Sequence, residues 1–166
     1  MTDAQLVRRM QAGDRAAADA LIERYYAAIL RYCDRHAPDA ATAEDLTQEV
    51  FLRLCSRLDA YRETGQFRAY LYRIAYNLCV DAARRPAPSL LPDTLPDAAD
   101  PFAAIETADE AARLLAKLPP AQREVLLLHC GEGLRFREIA AITGLPLRTV
   151  QSRVRAALKT LREVLP

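Results

Sequence analysis

The residues that decide the fold are 136–155, FREIAAITGLPLRTVQSRVR. They predict two helices joined at Gly144, because glycine permits the positive φ at which a helix ends and Pro146 prevents that helix from continuing. Ile139 and Leu145 are expected to pack inward. The stretch therefore predicts a helix-turn-helix, a motif that places its second helix in the major groove of DNA.

The second helix of this motif has two opposite faces. Apolar residues recur at the spacing of a buried stripe, and polar residues repeat that spacing two positions earlier, which is about 200° around a helix. The apolar set is Val150, Val154, Ala157 and Leu161, and the polar set is Arg148, Ser152, Arg155, Lys159 and Arg162. The polar face carries four cations and no acid, which suits a polyanion. A merely solvated basic face is the alternative, and the preceding turn favours DNA binding.

The net charge of +1 at pH 7 conceals an uneven distribution. Residues 135–162 contain seven cations and one acid, whereas residues 103–134 are net acidic. Only two of the 23 cations are lysines, and guanidinium suits bidentate contact with phosphate or guanine better than ammonium does. The basic charge is concentrated on the predicted DNA-reading unit.

The chain is predicted to be all-α, with two small helical domains. Every strong period before residue 86 is helical, and no alternating strand pattern occurs. Half of the ten prolines fall between residues 86 and 101, a density that opposes both helix and sheet. We therefore predict an N-terminal domain at 1–85, an acidic Pro-rich linker at 86–105 and a C-terminal helix-turn-helix domain at 106–166.

Capping residues and apolar spacing predict four helices in the N-terminal domain. Asp3 is expected to cap a short first helix that ends near Gly13, and Asp14 is expected to cap a longer second one. Thr42 is expected to open the third helix, as the first residue of a capping-box sequence, Thr-Ala-Glu-Asp. The fourth is predicted over 67–85, and its buried stripe comprises Phe67, Leu71, Ile74 and Leu78.

The fourth helix also carries aromatic and cationic residues off its buried stripe. Aromatic rings stack on exposed bases and guanidinium groups meet the backbone, so this combination suits single-stranded nucleic acid. The residues are Tyr70, Tyr72, Arg73, Tyr76 and Asn77. Packing of the tyrosines against neighbouring helices is the alternative.

No catalytic or metal-binding constellation is predicted, and no cofactor is expected. The cysteines show no Cys-x-x-Cys spacing, so we expect buried free thiols at Cys33, Cys55, Cys79 and Cys130. A thiol- or metal-dependent enzyme would need His129 and Cys130, which as sequence neighbours point about 100° apart on a helix.

No apolar run reaches the ~18 residues of a membrane span, and the N-terminus lacks a signal-peptide core. We expect a cytoplasmic protein that is not an enzyme and does not insert into membranes.

Three stretches, followed by the helix-turn-helix, resemble bacterial RNA polymerase sigma factors of the sigma-70 family. The closest resemblance is to the small extracytoplasmic-function (ECF) group. The stretches are AEDLTQEVFLRL at 43–54, FRAYLYRIAYN at 67–77 with Asp81, and LPPAQREV at 118–125. Their order and spacing follow the family over nearly the whole chain. The resemblance implies a subunit that directs core RNA polymerase to promoters and helps to melt the −10 region.

The resemblance also implies partners and sites in the N-terminal domain. This domain would bind the −10 element and the polymerase clamp, and an anti-sigma protein would often be a further partner. The clamp-binding surface would comprise Asp45, Gln48, Glu49, Phe51 and Leu52. The loop 56–66 would receive a base flipped from the non-template strand, and the melted strand would lie along Arg68, Tyr70, Tyr72, Arg73, Tyr76 and Asn77.

The C-terminal domain would bind the −35 element and the polymerase flap. Base contacts are expected from Arg148, Gln151, Ser152 and Arg155, phosphate contacts from Arg153, Lys159 and Arg162, and Thr149 belongs to the same surface. Tyr70 stands where the family commonly has Trp, and Ala156 where it often has Arg, so the bases read at −35 cannot be copied from relatives. The alternative function is an autonomous helix-turn-helix regulator, which would bind duplex operator DNA by itself, usually as a dimer.

Overall fold

The computed structural model describes residues 1–84 and 108–164. Within these ranges the chain is helical and contains no strand, which confirms the predicted all-α fold. The chain divides into two compact units, Met1–Leu91 and Pro92–Pro166. The linker predicted at 86–105 lies outside the described residues.

Within residues 1–84 the first unit contains four α-helices, α1 Asp3–Gln11, α2 Arg15–His36, α3 Ala40–Arg57 and α4 Phe67–Arg84. Helix α2 packs against the other three, and α3 also packs against α4. The core between them is fully buried and includes Leu21, Ile29, Val50, Leu54 and Leu71. A 3₁₀ turn, Leu58–Ala60, follows α3 and begins the loop that leads to α4.

Helix α1 begins differently from the prediction. Thr2 caps it in a capping box with Gln5, and Asp3 is the first helical residue. The Asp3 carboxylate instead accepts hydrogen bonds from α2, from Arg24 at 2.6 Å and from the Tyr25 hydroxyl. A threonine one position earlier supplies the cap, which leaves the aspartate free to join α1 to α2.

Helix α3 begins earlier than the prediction. Its cap is Asp39, whose carboxylate accepts a hydrogen bond from the Thr42 N–H at 2.7 Å, so Thr42 lies in the first turn and does not cap the helix. The aspartate supplies the stronger, charged acceptor three residues before that N–H. Asp14 caps α2 as predicted and accepts from the Ala17 N–H at 3.2 Å.

Residues 108–164 form four further helices, α5 Ala108–Ala116, α6 Pro120–Leu126, α7 Phe136–Thr143 and α8 Leu147–Val164. A π-helical turn, Leu127–Gly131, follows α6. Helix α8 packs against α5, α6 and α7. Its contact face is the predicted stripe, and each member is at most 2% exposed: Val150, Val154, Ala157 and Leu161.

Arg123 of α6 stabilises the end of α5. Its guanidinium donates to the carbonyl oxygens of Leu115 at 3.0 Å, Leu118 at 3.1 Å and Ala116 at 3.4 Å. The last carbonyls of a helix have no partner within that helix, so an external donor offsets the cost of ordering them. The arginine in the LPPAQREV stretch thus joins α6 to the end of α5.

The joint between α7 and α8 has the predicted geometry. Gly144 ends α7 with a left-handed φ of 75°, and its N–H donates to the Ala140 carbonyl at 2.9 Å. The Pro146 carbonyl then accepts from the N–H groups of Thr149 at 2.9 Å and Val150 at 3.1 Å, which opens α8. The two helices and their turn confirm the predicted helix-turn-helix.

Candidate nucleic-acid and protein interfaces

Helix α8 presents a cationic face opposite its buried stripe. All five residues predicted for this face are exposed, namely Arg148, Ser152, Arg155, Lys159 and Arg162. Among the residues that the structure describes, none of the four cations is paired with an acid. The face therefore combines positive charge with free donors, which are the groups that bind DNA phosphates and guanine edges.

Of the acids close to these cations in sequence, Glu163 is exposed near the end of α8, and Glu138 is held by the backbone. Glu138 lies in the first turn of α7, where its Oε2 accepts a hydrogen bond from the Arg135 N–H at 2.7 Å. This half-buried carboxylate satisfies a free donor at the helix start, so it is not an ion-pair partner for the α8 cations.

The three other residues predicted for the −35 surface are half-buried, namely Thr149, Gln151 and Arg153. At 100° per residue, Gln151 lies about 40° from Arg155 and borders the exposed face. Arg153 lies roughly 160° from Arg155, beside the buried stripe. Gln151 therefore lies at the edge of the cationic face, whereas Arg153 lies nearly opposite Arg155.

The predicted single-strand face of α4 divides into accessible and buried residues. Arg73 and Asn77 are exposed, and Arg68, Tyr70 and Tyr76 are half-buried. These five residues lie where a nucleic-acid strand can reach them.

The prediction for Tyr72 is wrong. This residue is only 1% exposed and packs edge to face against Tyr32 of α2, with ring centroids 5.7 Å apart. Because α2 and α3 both cover α4, its buried face is wider than one stripe and takes in the residue next to Leu71. A ring enclosed in the core cannot stack on a base, so packing decides the role of Tyr72.

Tyr70 stacks on Tyr61, a residue of the loop that the sequence did not single out. Their ring centroids are 4.4 Å apart and their planes differ by 30°, and Tyr61 also meets the edge of Phe67 at 6.0 Å. Burial, followed by the charge of Glu63, raises the pKa of Tyr61 to about 12, so the phenol stays neutral at physiological pH. A residue in a loop belongs to no periodic pattern of the sequence. Tyr61 is therefore identified only by its contact with Tyr70 in the structure.

Helix α3 carries the predicted polymerase-binding residues on two different sides. Asp45, Gln48 and Leu52 are exposed at i, i+3 and i+7 spacing, and Leu52 is 64% exposed in the middle of the helix. Glu49 borders them and accepts from Arg53 at 3.2 Å. Together these residues form an acidic and polar surface around one exposed leucine.

Phe51 does not belong to that exposed surface. It is 7% exposed, and its ring stacks on Tyr26 of α2 with centroids 5.9 Å apart. One residue before Leu52 on a helix points about 100° away, toward the core. The predicted surface residue Phe51 is therefore corrected to an anchor that holds α3 against α2.

The cysteines follow the prediction in part. Cys33 and Cys79 are buried free thiols, but Cys55 is exposed and Cys130 is half-buried. A hydrogen bond from Cys79 lowers the pKa of Cys33, and burial raises the pKa of Cys130.

In the described parts of the chain, no three His, Cys, Asp or Glu side chains gather as metal ligands would. None of the helices described there is both long and apolar enough to cross a bilayer.

Two family models match the two units separately. Sigma-70 region 2 matches residues 21–87, and Sigma-70, region 4 matches residues 108–161. The first match begins within α2, so α1 precedes it. The second contains the whole helix-turn-helix and ends at Leu161 of α8.

Curated relatives are similar over nearly their whole length. RNA polymerase sigma-H factor of Pseudomonas aeruginosa is 32% identical, over 98% of this chain and 93% of that protein. ECF RNA polymerase sigma-E factor of Escherichia coli is 31% identical, over 93% and 89% of the two proteins. ECF RNA polymerase sigma factor SigW of Bacillus subtilis is 27% identical, over 96% and 94%.

Solved structures share the fold. CnrH in complex with the cytosolic domain of CnrY is similar with a TM-score of 0.73 and 25% identity, over 98% of this chain and 96% of that one. The sigma factor RpoE of Bartonella quintana, solved with the anti-sigma factor NepR, gives a TM-score of 0.72 at 21% identity, over 87% and 94%. At that identity the second likeness is one of fold alone.

Proposed function

The chain belongs to the sigma-70 family, in its extracytoplasmic-function group, and from that membership we propose which of its surfaces bind polymerase and which bind the promoter. Its function is that of a sigma factor, which directs core RNA polymerase to promoters. An autonomous regulator is not favoured, because relatives that match nearly end to end are polymerase sigma factors.

Helix α8 is proposed to read the −35 element in the major groove. The observation that carries this proposal is a row of cations on the exposed side of α8, none of them paired with an acid in the part of the chain that the structure describes, opposite a buried stripe. Arg148, Gln151, Ser152 and Arg155 contact bases in this proposal, Thr149 borders them, and Arg153, Lys159 and Arg162 contact phosphates.

The start of α4 is proposed to help melt the −10 element and to hold its non-template strand. Arg68, Tyr70, Arg73, Tyr76 and Asn77 are accessible, whereas Tyr72 supports the helix from the core. The Tyr61–Tyr70 ring pair lies where the loop 56–66 meets this helix and gives it a flat aromatic surface. Because unstacking a base costs a few kcal/mol, a stacking surface of this kind offsets part of that cost.

Helix α3 is proposed to bind the polymerase clamp through Asp45, Gln48, Glu49 and Leu52, with Phe51 fixing the helix from behind. In protein–protein interfaces an apolar centre is surrounded by a polar rim, and Leu52 with its polar neighbours has this arrangement. The C-terminal unit is proposed to bind the polymerase flap.

An anti-sigma protein is a further proposed partner. The proposal is supported by CnrH, which was solved with the cytosolic domain of CnrY bound and matches this chain nearly end to end. A protein that covers the Leu52 surface of α3 would block polymerase binding without touching DNA. We also propose that the chain does no chemistry itself and acts in the cytoplasm, where polymerase and chromosome are found.

Run-off transcription with purified core polymerase tests these proposals. Reactions with and without the full chain use a template library in which the −10 and −35 regions are randomised. We expect transcripts only with the chain, from a restricted set of −10 and −35 sequences. Specific binding to a two-fold duplex site without polymerase, and no promoter-directed initiation with it, would instead support the autonomous regulator.

A further inference from the structure

Helix α1 contacts the loop that follows α3, although α1 lies outside the region 2 match at residues 21–87. The contact is made by Gln11, the last residue of the helix. Its side-chain Nε2 donates to the carbonyl oxygen of Leu58 at 3.0 Å and to that of Tyr61 at 2.8 Å. One amide group thus uses both of its hydrogens on a turn about 50 residues away in sequence.

The turn that Gln11 holds is otherwise weakly closed. The Leu58 carbonyl accepts the Tyr61 N–H at 3.1 Å, which is the hydrogen bond of the 3₁₀ turn, and the Tyr61 carbonyl lies at the end of that turn. Short 3₁₀ turns have poorer hydrogen-bond geometry than α-helices. Gln11 therefore supplies the Leu58 carbonyl with a second hydrogen-bond donor. It also supplies a donor to the Tyr61 carbonyl at the other end of the turn.

Helix α1 is itself a firm support for Gln11. Leu6 and Val7 are at most 2% exposed, and the Asp3 carboxylate is bonded to Arg24 and Tyr25 of α2. A side chain on a packed helix holds its partner more firmly than one on a loop does. The Gln11 amide therefore links the turn to α1, which is itself held against α2.

Tyr61 depends on its backbone for its position. In the described ranges its hydroxyl makes no hydrogen bond, so its polar end does not orient the ring. The ring is placed by stacking on Tyr70, by the edge of Phe67 and by a main chain whose carbonyl Gln11 binds.

We propose that Gln11 is a positioning residue for promoter melting: it fixes the Tyr61 backbone, so that the Tyr61 ring holds Tyr70 in the orientation that receives an unstacked −10 base. This inference rests on the proposed role of Tyr70 and the loop 56–66. It assigns a part in promoter opening to α1, which lies outside the matched region and contacts the loop inside it.

Holoenzyme assembled from core polymerase and full-length variants tests the proposal. Opening is followed by the fluorescence of 2-aminopurine placed in the non-template −10 element, and closed-complex formation by filter binding at low temperature. Gln11→Ala should lower the opening equilibrium about fivefold, the size of one or two lost hydrogen bonds, with closed-complex affinity unchanged. Gln11→Glu should lower it further, because its carboxylate would face two carbonyl oxygens.

Gln5→Ala is the matched control. It removes the same side chain from the same helix and breaks the α1 capping box, but it does not touch the turn. Opening should be unchanged in this variant. Equal opening defects in Gln5→Ala and Gln11→Ala would mean that α1 acts only through general stability, and the proposal would be wrong.

A double-mutant cycle with Tyr61→Leu separates this proposal from the one on which it rests. If Gln11 acts through the Tyr61 ring, Gln11→Ala should have little further effect once that ring is gone. If Tyr61→Leu and Tyr70→Ala reduce opening but Gln11→Ala does not, the role of Gln11 is rejected and that of the ring pair stands. If neither ring variant changes opening, the melting role of the pair is rejected as well.

Discussion

Arg155 and Lys159 lie one turn apart on the exposed face of α8, and their chemistry separates base reading from phosphate binding. A planar guanidinium can bond both acceptors of a guanine edge, whereas an ammonium acts as a point charge. Both side chains are unpaired within the described chain, so neither must leave an internal partner to reach DNA. Since both side chains are exposed, residue type is what distinguishes their proposed roles.

Arg155→Ala should therefore relax the preference at a single −35 position. The expected loss is ~1–3 kcal/mol for the preferred base there and much less for the other three, because only one base edge loses a bidentate partner. Transcription by the holoenzyme from templates that carry every base at each −35 position measures it. Lys159→Ala, the matched control, should weaken all templates alike and reduce the salt dependence. A uniform loss with Arg155→Ala would show that Arg155 binds a phosphate and does not read a base.

Tyr70 and Tyr72 differ by two positions in sequence, but Tyr70 is half-buried whereas Tyr72 is enclosed in the core. Tyr72→Ala should cost ~3–5 kcal/mol of unfolding free energy, as for other buried aromatic residues cut to alanine. Tyr70→Ala should leave stability nearly unchanged but impair −10 opening. Chemical denaturation and 2-aminopurine fluorescence measure the two effects. A stable Tyr72→Ala variant with a specific opening defect would restore the original prediction for Tyr72.

For single helices, the sequence predicted buried faces where apolar residues recur regularly. It did not predict which of two nearby residues takes a given role, such as the helix cap. The faces of α8 followed from spacing, because this helix buries a single stripe against its neighbours. Helix α4 buries a wider face against α2 and α3, so a single stripe underestimated its core and Tyr72 was misplaced. At the starts of α1 and α3, two capping residues competed within three positions, and only the observed hydrogen bonds decide between them. Gln11 was missed because it acts across 50 residues of sequence.

The cap of α3 makes the helix sensitive to acid. The Thr42 N–H, which donates to the Asp39 carboxylate, lowers the pKa of that group below its usual 3.8. A lowered folded-state pKa means that the stabilisation is present above the unfolded value and is lost as pH falls through the folded value. The proposed clamp-binding helix should therefore lose part of its N-terminal support below about pH 4.

Asp39→Asn tests this dependence, because asparagine is also a good N-cap but does not titrate. The wild-type chain should be the more stable of the two at pH 6, and the difference in thermal unfolding midpoint should shrink as pH approaches 3. Scanning calorimetry of both proteins across this range measures it. A difference that is the same at every pH would mean that the Asp39 charge does not contribute to the cap.

At the scale of the whole molecule, the net charge is near zero, but the two units carry different kinds of surface. The first unit carries the polar α3 surface and the aromatic start of α4, and the second carries the cationic face of α8. If each unit binds one DNA element, as proposed, the first contact raises the effective concentration of the second. Neither contact then has to be strong alone. The two proposed contacts use different surfaces on different DNA elements, whereas a dimeric regulator uses the same surface twice on a two-fold site.

The distance between the −10 and −35 elements should therefore matter as much as their sequences. Adding or removing two base pairs turns one element about 70° relative to the other and moves it about 7 Å, so both units can no longer bind undistorted DNA. Transcription by the holoenzyme should fall at least tenfold on both altered templates, while changes of spacer sequence at constant length have little effect. Unchanged output at every spacing would mean that only one unit reads the promoter, and full activity of a template without its −35 element would identify that unit as the first.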